Sequence, residues 1–497
     1  MGVIASQSIK KSVIMLLGVL IATISTLFIY PLNLELYGEL QFIIASAALL
    51  LPIATLGVHS LVVRFYPLFK DVGAKNHGYL GLLFLFVGVA LVLFTIISFC
   101  MRDGLYQLVT LLGWSPTIFR SNLLPIYGLL ICNAYFLLVQ KYLTNYQRVV
   151  VPSLLNEFLI KLQVPAIVLL SVYTLIDEDR LKMLYVIVMF VALLILLIYI
   201  YKLGVLLLRV DWSFITKSRI SQMSEYAMYG VLGTLSSVLA FRIDTIMVAG
   251  YTDFKTTGIY VIALFIANIL IIPSRSVLPL IGAEIADLHN ASNIEAIERL
   301  YKKSSTVLMI TGIGIFLLVW TNLESILSLT QRKDELMMGR TVVLYISIAR
   351  IFDMMMGANG LIISYGKYYK WNFLFIIIMG VLTVTTNIYM IPKIGFVGAA
   401  IASLISLSLF NIIKFLFVYH KYRIQPFGLG TIWTILISLL CYGIVSLLPE
   451  FNIAIFDIII RSVVILVVFG LLIYYFKISD DINQVVDKLV IRLKELT

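Results

Sequence analysis

The chain has 497 residues, of which 61% are hydrophobic and only 13% charged, and its mean hydropathy is +1.04. A soluble domain carries about 25% charged residues, so a soluble enzyme or binding module is excluded. The formal charge of +11 does not indicate a nucleic-acid partner, because no basic domain stands outside the apolar runs and no zinc, RNA-binding or helix-turn-helix motif is present.

Apolar runs of about 20 residues or more, enough to cross a bilayer, follow one another almost without pause. The alternating ten-residue segments of a transmembrane barrel are absent. The expected fold class is therefore an all-α polytopic membrane protein of about fourteen transmembrane helices. Lys10 and Lys11 before an apolar run resemble the start of a signal peptide. Ser12 to Tyr30 is long for such a segment and no small-x-small cleavage site follows, so an uncleaved first helix is expected. The first six spans are placed at Ile9–Leu32, Leu40–Tyr66, Tyr79–Met101, Ser121–Lys141, Pro152–Leu175 and Leu181–Gly204. The next six are Ser224–Gly250, Gly258–Gly282, Ser304–Leu323, Thr341–Tyr365, Asn372–Met390 and Gly395–Tyr419. Phe427–Leu447 and Ile453–Tyr475 close the membrane part, and Ile482, Val485, Val486, Leu489 and Leu493 mark an amphipathic tail at helical spacing.

Lysine and arginine concentrate in the loops that share a side with both termini, which places the termini in the cytoplasm. Lys202, Arg209, Lys217 and Arg219 fall inside and Asp177-Glu178-Asp179 outside. Trp114, Trp212, Trp320, Trp371 and Trp433 lie in loops or near span ends, where aromatic belts form. The three cysteines, in or beside apolar spans, read as packing residues. The basic linker divides the chain into a six-helix bundle over 1–210, a second over 211–425, two additional helices over 426–476 and a cytoplasmic tail over 477–497. An even number of spans per half makes the halves parallel repeats about an axis normal to the membrane. Gly38 and Pro52 in the second span match Gly258 and Pro273 in the eighth at nearly the same offset. Chance is the alternative, since proline is common in membrane helices.

Several sequence patterns resemble a known group. They are Leu36-Tyr37-Gly38-Glu39-Leu40-Gln41, Leu56-Gly57, Val63-Arg64-Phe65-Tyr66-Pro67 and the stretch Ile391-Pro392-Lys393-Ile394-Gly395-Phe396-Val397-Gly398-Ala399-Ala400-Ile401-Ala402. Arg242-Ile243-Asp244 and Arg350 with Asp353 belong to the same set. Together they are similar to the Wzx-like oligosaccharide flippases of the multidrug/oligosaccharidyl-lipid/polysaccharide (MOP) exporter superfamily. The resemblance implies two six-helix bundles around a central cavity that opens alternately to each side. It implies a polyprenyl-pyrophosphate-linked oligosaccharide (an O-antigen, capsule or exopolysaccharide repeat unit) moved from the cytoplasmic to the outer leaflet of a bacterial inner membrane. Membrane lipids, a coupling ion (H+ or Na+) and other polysaccharide-assembly membrane proteins are the implied partners, with no cofactor, metal or nucleic acid.

Charges inside apolar spans are the candidate site, because a cation at the centre of a bilayer costs at least ~2.5–3.5 kcal/mol and tends to face water or a partner. Glu157 and Lys161, four apart, are expected to pair, as are Asp457 and Arg461; Arg350 and Asp353, three apart, are a third couple. Arg242 and Asp244, two apart, point in different directions, which suggests a gating or coupling network of Asp244, Asp353, Glu157 and Lys161 with Arg242 and Arg350. One version sets Asp244 against Arg350, the other Asp353 against Arg242. Arg275, Arg64 and Lys414 have no local acid. With Arg242 and Arg350 they are the expected cavity cations for phosphate, which guanidinium groups grip with two parallel hydrogen bonds. Snorkelling towards headgroups is the alternative for Arg64 and Lys414. Two rival functions remain: an ion-coupled multidrug exporter of the same superfamily, which needs acids for cationic drugs, and a membrane polymerase or glycosyltransferase, which needs a larger outer domain than the roughly 20-residue connections here. No P-loop for nucleotide-driven pumping is present.

Overall fold

The computed structural model describes residues 14–487 except 16, 72–75, 174–175, 450, 452 and 485–486. Lys10, Lys11, the start of the first span and, from the tail, Val485, Val486, Leu489 and Leu493 lie outside the described residues. The chain forms two compact units, Met1–Val261 and Ile262–Thr497.

In the first unit a helical run spans Leu17–Ala54. At 38 residues it is about 57 Å long, nearly twice the ~30 Å of a bilayer core, so it holds two spans. They meet at a 3-10 turn, Tyr30–Asn33, where Pro31 cannot continue the helix and the Asn33 side chain caps the next one by accepting from Leu36 N at 3.0 Å. The next helix is α1 (Leu34–Ala54), and α2 (Val58–Arg64) follows a break at Leu56 and Gly57, both at positive φ. The second span was expected to be continuous from Leu40 to Tyr66. Pro52 ends its hydrogen-bond ladder, and Gly57 supplies the left-handed residue that restarts it.

Then come α3 (Tyr79–Cys100), α4 (Pro116–Thr144), α5 (Lys161–Tyr173), α6 (Glu178–Lys202) and α7 (Lys217–Tyr251). A π-helical segment, Leu155–Ile160, precedes α5. The linker between α6 and α7 is pinned: Phe214 stacks on His77 at 3.8 Å, and Arg219 lies 3.8 Å over the Phe214 ring. Hydrogen bonds from Ser213 and His77 hold the Asp211 carboxylate below its usual range. The core of this unit contains Phe69, Tyr79, Leu138, Val139, Tyr142 and Ile200.

Helix α7 packs along α1. At the end of α7 the chain turns into α8 (Phe254–Asn268), whose first turn crosses α1 backbone to backbone. A Cβ on Gly38 would stand 1.8 Å from the Phe254 carbonyl oxygen, and one on Gly258 would stand 2.3 Å from that of Leu34. The two glycines matched by the sequence repeat thus sit in one crossing.

In the second unit a 3-10 turn at Ile269–Ile271 leads into α9 (Ile272–Asn290), with Pro273 in its first turn, where no donor is lost. It is followed by α10 (Ile294–Ser328), α11 (Arg340–Met355), α12 (Asn359–Tyr365), α13 (Tyr369–Ile394) and α14 (Phe396–Tyr422). The tenth span, expected to be continuous, is α11 and α12 bent by 49° at Met356–Ala358, where Gly357 has φ +55°. Helices α15 (Leu429–Ser446) and α16 (Ala454–Tyr475) pack on α10 through Ile310, Ile313, Leu317, Cys441, Val445 and Phe469. Among the described residues 12 helices, or 13 with the bent pair counted once, are long and apolar enough to cross a membrane, which agrees roughly with the fourteen spans expected. All three cysteines are free.

Candidate functional site: charged groups within the helices

Three acids inside the first unit are engaged. Glu157 accepts from Lys161 Nζ at 2.5 Å, one turn away, where the π segment widens the helix against Gly18. Asp244, 5% exposed, accepts from the Tyr260 hydroxyl at 3.2 Å. A third acid forms a cluster that no local pattern announces. Glu39 on α1 accepts from Lys182 on α6 at 2.9 Å and from Asn122 on α4 at 2.9 Å, and Lys182 also meets Asp179 at 2.7 Å. Glu39, Lys182 and Asn122 are buried, so this cluster clamps three helices.

Arginines of the same unit are placed otherwise. Arg64 ends α2 and is exposed, 6.0 Å from the centre of the Tyr226 ring. It lines a cavity of about 590 Å³ with Gln222, Glu225, Tyr226 and Tyr229. Arg242 is exposed on α7, within electrostatic reach of the Tyr37 and Tyr185 hydroxyls. Tyr37 in turn stacks on Tyr30 at 4.1 Å. No local pattern announces the set of Tyr30, Tyr37, Tyr185 and Arg242, because its members come from three separate stretches of chain.

In the second unit Arg275, one turn past the 3-10 break, is exposed and has no ion pair or hydrogen bond among the described residues. Arg350 donates its Nε to Asn268 Oδ1 at 2.9 Å. Asp353, at the last turn of α11, accepts from Asn411 at 2.8 Å and faces Lys414 electrostatically. Lys414 is not a snorkelling residue: it is 7% exposed, with its ammonium 4.2 Å from the centre of the Phe410 ring. It borders a cavity of about 270 Å³ with Asp353, Asn359, Ser364 and Asn372. That cavity lies at the bend between α11 and α12, and interrupted helices near mid-membrane are where transporters place ion and substrate contacts. Asp457 and Arg461 pair at 2.8 Å on α16. His59 is held between Thr55 and the Ala134 carbonyl, a helix-packing arrangement. No group of three or more metal-ligating side chains occurs among the described residues.

No protein-family profile matches the chain. A curated protein of Haloferax volcanii named "Probable flippase AglR" is 25% identical over 325 residues, 62% of this chain and 64% of that protein. The match thus spans slightly less than two-thirds of the relative's length. Among solved structures, lipid II flippase MurJ in an inward closed conformation superposes with a TM-score of 0.72 at 13% identity, over 95% of this chain and 98% of that one. An inward-facing multidrug resistance transporter of the MATE family, from the MOP superfamily, gives a TM-score of 0.59 at 14% identity, over 81% and 94%. The chain has the fold of these two solved structures, in line with the fold that the sequence resemblance implies.

Proposed function

We propose that the chain is a non-enzymatic flippase that moves an anionic lipid-linked oligosaccharide across the membrane by alternating access. One observation carries this reading. The buried or half-buried acids Glu39, Glu157, Asp244, Asp353 and Asp457 each have a hydrogen-bond donor. The guanidinium groups of Arg64, Arg242 and Arg275 are exposed and have no acidic partner among the described residues. Groups arranged this way offer donors and positive charge to a phosphate. The relative's name supports a flippase, and the name of the MurJ structure, a lipid II flippase, agrees with a lipid-linked cargo.

In finer detail, the cargo is a polyprenyl-pyrophosphate-linked repeat unit, and the cations that serve it are Arg64 and Arg242 in the first unit and Arg275, Arg350 and Lys414 in the second. Asp244, Asp353, Glu157 and Lys161 act in gating or coupling to H+, Na+ or the membrane potential, which supplies ~2.3 kcal/mol per charge per 100 mV. The membrane is a bacterial cytoplasmic membrane, both termini face the cytoplasm, and polysaccharide-assembly proteins of the same membrane are the partners. The MATE likeness favours a second reading, ion-coupled export of organic cations. Reconstituted vesicles separate the two: translocation of a lipid-linked oligosaccharide supports the flippase, whereas efflux of an organic cation with no lipid-linked sugar moved overturns it.

A further inference from the structure

Four helix ends surround a polar cavity of about 280 Å³ in the second unit, lined by none of the cations proposed for the cargo. The end of α10, the start of α11, the end of α15 and the first turns of α16 line it. Asp457 is 5% exposed and both its oxygens are engaged: Oδ1 accepts from Arg461 Nε at 2.8 Å, and Oδ2 accepts from the Ser325 hydroxyl. The other acid in the lining, Glu324, accepts from Lys333 at 3.0 Å.

Its cations are not used up in the same way. The Arg461 side chain is only 13% exposed, yet it donates through Nε alone, and its two terminal nitrogens have no acceptor among the described residues. Arg340 lies 5.0 Å from the centre of the Trp320 ring and makes no ion pair among the described residues. Lys333, Arg340 and Arg461 set against Glu324 and Asp457 leave the lining with one net positive charge. An occupant therefore has to bring acceptor oxygens and about one negative charge. A guanidinium with its outer edge free holds two oxygens of a phosphate in parallel. Trp320 and Tyr442 in the same lining are residues that settle at a membrane–water boundary. Basic pockets between membrane helices bind anionic headgroups on the cytoplasmic side, and this one, at the outer ends of α10 and α11 in the expected orientation, offers the same chemistry to the outer leaflet.

We propose that this pocket binds the phosphodiester of an anionic membrane lipid, held by Arg461 and Arg340 with Lys333 at its mouth. The site is independent of the cargo reading and stands whether or not the protein is a flippase. Native mass spectrometry of the full-length purified protein, titrated with phosphatidylglycerol, phosphatidylcholine or inorganic phosphate, tests it. Phosphatidylglycerol is expected to be retained in preference to phosphatidylcholine, and Arg340→Gln with Lys333→Gln is expected to weaken it about tenfold or more, since charge-assisted hydrogen bonds are lost. Arg461→Gln alone strands a buried carboxylate, so it is combined with Asp457→Asn, and the pair is expected to weaken phosphatidylglycerol similarly with an unchanged melting temperature. Equal retention of the two lipids, indifference to both double variants, or binding of inorganic phosphate with no lipid preference each overturns the proposal.

Discussion

Arg275 and Lys414 carry the same charge inside the same unit, yet one is exposed and the other enclosed beside Asp353. If Arg275 serves the cargo, Arg275→Gln should reduce lipid-linked oligosaccharide translocation at least tenfold, since a charge-assisted contact to phosphate is worth about 1.5–3 kcal/mol. Membrane abundance and melting temperature should stay at wild-type values; unchanged translocation removes Arg275 from the mechanism. Glu39 makes the opposite prediction. Glu39→Ala leaves Lys182 with Asp179 as its remaining acidic partner and removes the acceptor of the Asn122 amide, and should cost roughly 1–3 kcal/mol, seen as a lower melting temperature. The double variant Glu39→Gln/Lys182→Met should recover most of that loss, because replacing both members of a buried pair is far milder than removing one. Local spacing finds Glu157–Lys161 and Asp457–Arg461 because each pair lies one helical turn apart. It cannot find Glu39–Lys182, whose members are 143 residues apart in sequence.

Element boundaries were legible wherever hydropathy or proline marks them. Pro31, Pro52 and Pro273 each sit at or within a few residues of an interruption in the helical ladder. The bend between α11 and α12 has no proline; Gly357 at positive φ is its only residue-level sign, and a glycine in an apolar run is too common to read. Helices α7 and α10, each 35 residues, outrun the expected spans because hydropathy reports only the part in lipid. Gly38 and Gly258 have a packing reason of their own, since only a residue without a Cβ fits where α1 and α8 cross. Gly38→Ala places its methyl group against backbone, which has no rotamer to move away. It should prevent accumulation of folded protein, measured as loss of the monodisperse peak in fluorescence-detected gel filtration. Gly443→Ala, with open space around it, should leave that peak unchanged.

At the scale of the whole molecule, the expected orientation is directly measurable. A single cysteine at Asp177 should react with a membrane-impermeant maleimide on intact cells, and one at Ser218 should react only after permeabilisation; the reverse pattern inverts the topology. The two final helices share a core with α10 that includes Met309, Cys441 and Ile473. Truncation before Leu429 should therefore lower the melting temperature by many degrees rather than yield an intact smaller transporter. The enclosure of Lys414 has a further consequence. An amine without access to bulk water is a poor target for acylation, so this lysine should stay unmodified under a brief pulse of an N-hydroxysuccinimide ester while loop lysines are tagged. Whatever step parts the surrounding helices should let the reagent in, and the tagging rate at this one position becomes a stopwatch for that step.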